Sequence, residues 1–271
     1  MEMRSWRAAM IVVAVSVYAD ALADERRPPP ADATIFDASV RYRFAWTEIP
    51  FRRDVPKGWD AISGPEERFG IRVVSGMFEG KLEVGVISER FDTFSVVDAD
   101  IFRGDAQLGI NVGAWSALIE WKGRDVFEPG FSEFITGLNI YDLRVRRRMT
   151  LDLFGGGPPA LVQASVAGGR VAASPHIYAR NFGEIEIEAV QPLGGGFALM
   201  VAPKFLYEDF DDFTRDREDA VASVRIAPMY NFGGGLTFSV EGQAVVAFST
   251  LSNKTGETWA VTPVLRFQHG L

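Results

Sequence analysis

The most constraining feature of the sequence is a strict alternation of apolar and smaller or polar residues over positions 220–248. The alternation is interrupted only at 231–235, a segment rich in residues that tolerate positive φ. A period of two indicates strands with two unlike faces, each about 11–13 residues long. Such strands exceed the usual 5–6 residues of a soluble sheet and approach the length that crosses a bilayer obliquely. Two long amphipathic strands joined by a glycine turn are the repeating unit of a transmembrane β-barrel.

The composition agrees with a barrel and excludes several other classes. The chain has 271 residues, enough for one large barrel or two small soluble domains. It contains no cysteine, which excludes a disulfide framework and a thiolate metal site. The formal net charge of −8 argues against nucleic-acid binding, because phosphate contacts need a basic face. Mean hydropathy is near zero, as expected when an apolar band is hidden in alternation.

The first part of the chain has the pattern of a secretory signal peptide over residues 1–23. Arg4 and Arg7 supply a positive start, 8–19 is an apolar core, and a small-x-small cleavage site precedes Asp24. The apolar core is too short to span a bilayer as a helix. We therefore expect the mature protein to be secreted across the inner membrane.

Residues 24–33 contain three consecutive prolines and are predicted to form an extended lead-in. Alternation then runs through 34–271, which we assign to a single domain. Short glycine turns alternate with longer polar loops, an asymmetry typical of outer-membrane barrels. We predict an all-β fold, a transmembrane up-and-down antiparallel β-barrel of about 12 strands.

Polar stretches and glycines set the expected strand boundaries. The longest strand is predicted over 138–154, where Arg147 falls on the apolar face, so we expect a bulge or a register shift there. A tight turn is expected near Gly80 and another near Gly113. Longer polar loops are predicted at 48–67, 92–104, 122–133, 208–219 and 250–257.

The last strand carries Val261, Leu265, Phe267 and Leu271 at alternating positions that run to the end of the sequence. In this respect, and in the repeated hairpins, the chain resembles bacterial outer-membrane β-barrel proteins. The last strand is similar to the signal that the barrel-assembly machinery recognises in that family. The resemblance implies an outer-membrane location, contact with lipid and lipopolysaccharide, and insertion by that machinery. Tryptophans such as Trp46 are candidates for the interfacial aromatic girdles.

Charged residues on the face opposite the apolar stripe are expected to line the lumen. An arginine or lysine that faces hydrocarbon at mid-depth costs about 2–4 kcal/mol, so the charges are predicted to point inward. Arginine also binds carboxylates and phosphates through its planar fork. The predicted pore-lining residues are Arg41, Arg43, Arg72, Arg144, Arg146, Arg148, Arg225, Arg266, Lys204, Glu184, Glu186 and Glu188.

These charges leave two functions open. In the first, the arginine rows set the selectivity of a channel for small hydrophilic, anionic solutes, including acidic oligosaccharides or a polysaccharide. In the second, the same charges pair across the lumen and plug a barrel that has a structural, adhesive or assembly role. Barrels of 8 strands are filled by side chains and barrels of 16–18 strands are open, and 12 strands lie between these cases.

An enzyme is the least favoured class. Only His176, with Ser174 nearby, could serve a surface lipid-modifying enzyme, because His269 lies at the predicted periplasmic end. A lone histidine at a strand end is more often an interfacial residue. The acidic segment 208–219 lacks the spacing of an EF-hand, which favours a solvated loop over a cation site. We expect no catalytic residues, no metal and no cofactor.

Overall fold

The computed structural model describes residues 32–49, 58–92, 98–152, 158–211, 217–251 and 255–270. They form a closed barrel of antiparallel strands in which each strand pairs with its chain neighbours and β1 pairs with β12. This confirms the predicted fold class and strand number. The predicted signal peptide and most of the lead-in lie outside the described residues. The strands are β1 (Asp32–Ile49), β2 (Gly58–Ser75), β3 (Phe78–Phe91), β4 (Ala99–Val112), β5 (Trp115–Phe127), β6 (Phe134–Leu151), β7 (Ala160–Ser174), β8 (Arg180–Gly194), β9 (Phe197–Phe210), β10 (Glu218–Gly233), β11 (Leu236–Ser249) and β12 (Gly256–Gly270).

Alternation along each strand separates an apolar outer face from a charged inner face. On β6, Leu143 is 58% exposed and its neighbour Arg144 is 2% exposed. On β5, Ile119 is 69% exposed and Glu120 is 5% exposed. In a soluble protein these apolar side chains would be buried, so the barrel has the inverted pattern of a membrane-spanning sheet.

The two ends of the barrel differ in how the strands are joined. At one end, which we name the turn end, tight turns at 76–77, 113–114, 195–196 and 234–235 join strands, and β1 begins and β12 ends. Gly195 and Gly234 both take φ near 60°, a conformation that β-branched or bulky residues rarely adopt. At the other end, the loop end, longer connections begin at residues 50, 92, 128, 175, 211 and 250.

Several predicted boundaries were wrong because strands extend into segments that were assigned to loops. β2 begins at Gly58, inside the expected loop 48–67, and β5 continues to Phe127. The tight turn after β2 lies at 76–77 instead of Gly80, and Gly76 takes a φ of 57°. Charged inward residues near the loop end made these strand ends look like solvated loops.

The expected bulge near Arg147 is also absent from the described pairing. Arg147 pairs with Trp115 on β5 and Ala164 on β7 in continuous register. Its guanidinium instead lies on the outward face close to the turn end, 5.3 Å from the centroid of the Trp115 ring. At an interfacial depth such a cation can reach water and lipid head groups. Arg147 can therefore face outward without a bulge or a register shift.

Two short 3-10 turns, Pro129–Phe131 and His176–Tyr178, lie in loop-end connections. Within the described ranges, no helix is long and apolar enough to cross a membrane. The fold of the described residues therefore consists almost entirely of the barrel wall and its connections.

Candidate functional site in the barrel lumen

The inner face of the barrel carries acidic and basic side chains in equal number over the described strands. Since the two sets match, the described interior has little net formal charge. The basic set is Arg41, Arg43, Arg68, Arg72, Lys81, Arg103, Lys122, Arg124, Arg144, Arg146, Arg148, Arg180, Lys204, Arg225 and Arg266. The acidic set is Asp37, Asp60, Glu66, Glu79, Glu83, Glu89, Asp105, Glu120, Asp142, Glu184, Glu186, Glu188, Glu208, Asp219 and Glu241.

Arg144 is the centre of one ion-pair network. Its Nη1 donates to Glu184 Oε1 at 2.7 Å and its Nε donates to Glu120 Oε2 at 3.2 Å. Glu120 also accepts from Arg146 Nη2 at 2.9 Å and from Lys122 Nζ at 2.8 Å. One carboxylate is thus shared by three cations, and the network joins β5, β6 and β8 around the inner wall.

A second network links β2, β3 and β4. Arg103 Nη1 donates to Glu66 Oε1 at 3.1 Å and its Nη2 lies 3.3 Å from Glu83 Oε1. Arg68 contacts both Glu66 and Glu83. Gly85 lies beneath the two arginines, where an added Cβ would meet Arg68 Cγ at 3.1 Å and Arg103 Cγ at 3.2 Å. The same Cβ would lie 2.6 Å from the Glu67 carbonyl oxygen, so a larger residue at this position would strain the β2–β3 pairing and crowd the stems of both arginines.

Small residues allow ion pairs to span three strands. Arg225 on β10 donates to Glu188 on β8 at 3.4 Å, and Ala202 on β9 lies between them in the register. The short side chain leaves space for the long arginine to cross the intervening strand. The same arrangement recurs at Arg43, Gly64 and Glu89, with a 3.0 Å hydrogen bond, and at Arg144, Ala167 and Glu184.

The predicted lumen residues all lie on inward faces of described strands, and most are joined by ion pairs. Further contacts are Arg72 with Glu79 at 2.9 Å, Arg266 with Asp37 at 2.5 Å, Arg41 with Glu241 at 3.9 Å, Lys204 with Glu184 at 2.6 Å and Arg148 with Gln163 at 3.3 Å. Whether these residues line a conducting pore stays a prediction. The arginine rows are not free anion sites in this structure, because each contacts a carboxylate or amide partner.

Sequence reasoning missed a comparable number of inward charges. The missed residues lie mostly in segments that were assigned to loops. They are Arg68, Arg103, Lys122, Arg124, Arg180, Asp60, Glu66, Glu79, Glu89, Asp105, Glu208 and Asp219. The alternation continues through Ile101, Arg103 and Asp105, and this signal could have extended β4.

A cavity of about 50 Å³ lies within the charged part of the lumen. Both signs of charge line it, among them Lys81, Glu83, Asp105, Lys122, Asp142 and Lys204. The Lys81 side chain is 27% exposed, so this wall is less tightly packed than the arginine networks. A space of this size holds a few ordered water molecules and excludes a large anion in this conformation.

Buried apolar side chains also face inward toward each end of the barrel, which the sequence analysis did not predict. The loop-end apolar cluster consists of Ile87, Ala99, Ile101, Val126, Leu138, Ile140, Val171, Tyr178, Phe182 and Leu206. The turn-end apolar cluster consists of Val190, Met200, Ala202, Ala227 and Met229. Layers of this kind narrow a lumen and exclude water from it.

The histidines lie away from the lumen networks. His176 is exposed in a loop-end turn, near Asp211. Arg170 donates a side-chain hydrogen bond to Asp211, which with the charge of Arg170 and that of His176 lowers the pKa of the Asp211 carboxyl. His269 lies on the outer face of β12, with its ring stacked 6.4 Å from Phe267. Over the described ranges, no group of three or more histidine or carboxylate residues could hold a metal ion.

Comparisons with known proteins show the fold of the chain but do not assign it to a family. No protein-family model matches the chain, and no curated protein sequence matches it. An outer-membrane channel from Pseudomonas putida F1 is similar in structure, with a TM-score of 0.61 at 9% identity over 93% of this chain and 100% of that one. The translocator domain of the autotransporter NalP from Neisseria meningitidis has a TM-score of 0.49 at 11% identity over 94% and 92%. The KdgM porin has a TM-score of 0.44 at 10% identity over 84% and 98%.

At these identities the likeness concerns the fold, and the two scores below 0.5 add nothing to the argument. The closed barrel and its likeness to the Pseudomonas channel define the class. The chain is a β-barrel of the bacterial outer-membrane type.

Proposed function

We propose that this protein is a narrow outer-membrane channel for the passive passage of small hydrophilic solutes. The observation that carries the proposal is a cavity of about 50 Å³ among the charged side chains of the lumen, large enough for a few water molecules and lined by side chains of both signs. Such a surface replaces the hydration of polar and charged groups better than an apolar wall does. Paired charges also keep the wall ordered while offering donors and acceptors to a passing solute.

Charge balance limits the selectivity of this channel. An anion preference set by the arginine rows, including Arg144, Arg146 and Arg148, stays a prediction. The contacts of Arg144 and Arg146 with Glu120 reduce the field that these guanidinium groups present to a solute. We therefore expect a weak anion preference, much weaker than a lumen with unpaired arginines would have.

A closed barrel with a structural, adhesive or assembly role is the second candidate. The two apolar clusters favour it, because Leu138 and Met200 are almost fully buried on the inner face. In this alternative the ion pairs serve only to fill the barrel, as in smaller barrels. The difference between the two functions is whether small solutes pass these clusters.

The location in the bacterial outer membrane is part of the proposal. The outer face supports it through exposed apolar side chains and through tryptophans such as Trp46, Trp115 and Trp259, which suit interfacial girdles. Val261, Leu265 and Phe267 face outward on β12, where the barrel-assembly machinery would recognise them. We place the turn end in the periplasm and the loop end toward lipopolysaccharide.

Planar-bilayer recording and liposome swelling test the proposal. The refolded barrel is expected to give small, steady, ohmic currents and to admit small sugars and amino acids but exclude larger oligosaccharides. A salt gradient measures the anion preference, which Arg148→Gln should reduce. Absence of both current and solute entry would reject the channel and leave the closed barrel.

A further inference from the structure

We propose that Glu186 is a binding site for a small monocation, either an inorganic ion or the primary ammonium group of a solute. Glu186 lies on the inner face of β8 and is 6% exposed. Over the described residues it makes no hydrogen bond or ion pair, unlike Glu184 and Glu188 on the same strand. Its oxygens are not among the fully buried polar atoms that lack a partner, so the carboxylate keeps contact with the lumen, where a cation from solution would neutralise its charge.

The register explains why Glu186 has no ion-pair partner among the described residues. Arg144 on β6, Ala167 on β7 and Glu184 on β8 lie opposite one another in a row across the three strands. Arg144 crosses Ala167 to reach Glu184. The next row toward the turn end places Ser165 between Arg146 and Glu186 in the same way. By analogy Arg146 could reach Glu186.

Arg146 turns in the opposite direction. Its Nη2 donates to Glu120 on β5 at 2.9 Å. On the other side of Glu186, Lys204 is its direct cross-strand neighbour, but Lys204 Nζ lies 2.6 Å from Glu184 Oε2. Both cations that flank Glu186 are therefore bound to other carboxylates.

Small and hydroxyl side chains flank Glu186 on the inner face. The inward residues next to Glu186 include Ser165 on β7 and Ala202 on β9, and Ser223 follows Lys204 in the row. Serine hydroxyl oxygens can act as further ligands or accept a hydrogen bond from an ammonium group, and Ser165 Oγ also accepts one from Arg144 Nη1 at 3.4 Å. One carboxylate with cationic neighbours suits a single positive charge better than a divalent ion, which requires several carboxylates.

The test compares Glu186→Gln with Glu188→Gln, a matched control on the same face whose carboxylate is ion-paired. Thermal unfolding of the refolded barrel in detergent is measured with potassium chloride, propylammonium chloride or tetrabutylammonium chloride at equal concentration. The parent protein is expected to gain Tm with potassium or propylammonium relative to the bulky tetrabutylammonium ion. Glu186→Gln should abolish that gain, and Glu188→Gln should retain it. A gain with propylammonium alone identifies an amine as the ligand.

Glu186→Gln is also expected to leave the Tm in tetrabutylammonium chloride almost unchanged, because the carboxylate that it removes has no ion-pair partner among the described residues and keeps contact with the lumen. Glu188→Gln should lower it. A loss of stability in Glu186→Gln equal to that in Glu188→Gln, or an unchanged cation response, would overturn the proposal.

The cation site at Glu186 depends on the proposed channel function only if it takes part in the passage of solutes. Unfolding requires no ion flow, so a barrel that does not conduct but keeps the Glu186-dependent response would refute the channel alone.

Discussion

At the scale of the residue, the lumen is stabilised by long cations, several of which contact more than one carboxylate. Arg144 is 2% exposed and hydrogen-bonds Glu184 and Glu120. A buried charge that loses its partner is strongly destabilising, whereas an exposed pair contributes little. The contribution of each arginine therefore depends on which face of the strand it occupies.

Arg144→Met is expected to destabilise the barrel by about 1.5–3 kcal/mol, because it removes one charged hydrogen-bond donor from Glu184 and Glu120, which keep Lys204, Lys122 and Arg146 as partners. Arg147→Met, three residues along the same strand, is the matched control. It removes only an outward contact with Trp115, which contributes about 0.5–1 kcal/mol. Denaturant unfolding in lipid vesicles measures both free energies. Equal losses for the two variants would contradict the inward assignment of Arg144.

At the scale of the element, pairs of strands interact across a third strand with small inward residues. Ala167 on β7 lies under the Arg144–Glu184 pair, and Gly85 on β3 lies under Arg68 and Arg103. Neighbouring strands are thus matched in side-chain size as well as in hydrogen bonding. This matching fixes the register more tightly than alternation alone does.

Ala167→Leu is expected to cost about 1–3 kcal/mol, because the added methyl groups occupy the path of the Arg144 side chain. Val166→Leu is adjacent in sequence but points outward, where a lipid-facing leucine should be almost neutral. The two free energies of unfolding are compared under identical conditions. If Val166→Leu cost more than Ala167→Leu, the assignment of faces on β7 would be wrong.

The sequence predicted the elements better than the contacts between them. Alternation identified the strands and placed Arg144 and Glu184 inside, because a charge facing lipid is costly. Inward apolar residues such as Ile101 and Leu206 could not be assigned, since an apolar side chain is compatible with either face. The pairing of Arg146 with Glu120 instead of Glu186 depends on side-chain conformations, which alternation does not encode.

At the scale of the whole molecule, the charged lumen contains two inward apolar clusters, one toward each end of the barrel. The loop-end apolar cluster brings together residues from β3 to β9, including Phe182 and Leu206. Water is held weakly by such a layer, so it opposes ion flow even where it leaves a narrow path. Conductance should accordingly be limited by these clusters more than by the charged side chains.

Phe182→Ala combined with Leu206→Ala is expected to raise the single-channel conductance, because it removes bulk from the inner constriction. Phe205→Ala, on the outer face of β9, is the control and should leave the conductance unchanged. Currents in planar bilayers provide the measurement. Unchanged conductance in the double variant, with the fold intact by circular dichroism, would show that the cluster does not limit flow.

The assignment of faces underlies every part of this account, and the absence of cysteine allows it to be tested directly. Single cysteines at Leu143, Ile185 and Leu265 would carry nitroxide spin labels in the reconstituted barrel. Collision rates with oxygen, which concentrates in lipid, and with a water-soluble nickel complex are then compared by electron paramagnetic resonance. The account predicts high accessibility to oxygen and low accessibility to nickel at all of these positions. Nickel-accessible labels, or labels shielded from both reagents inside a protein core, would contradict it.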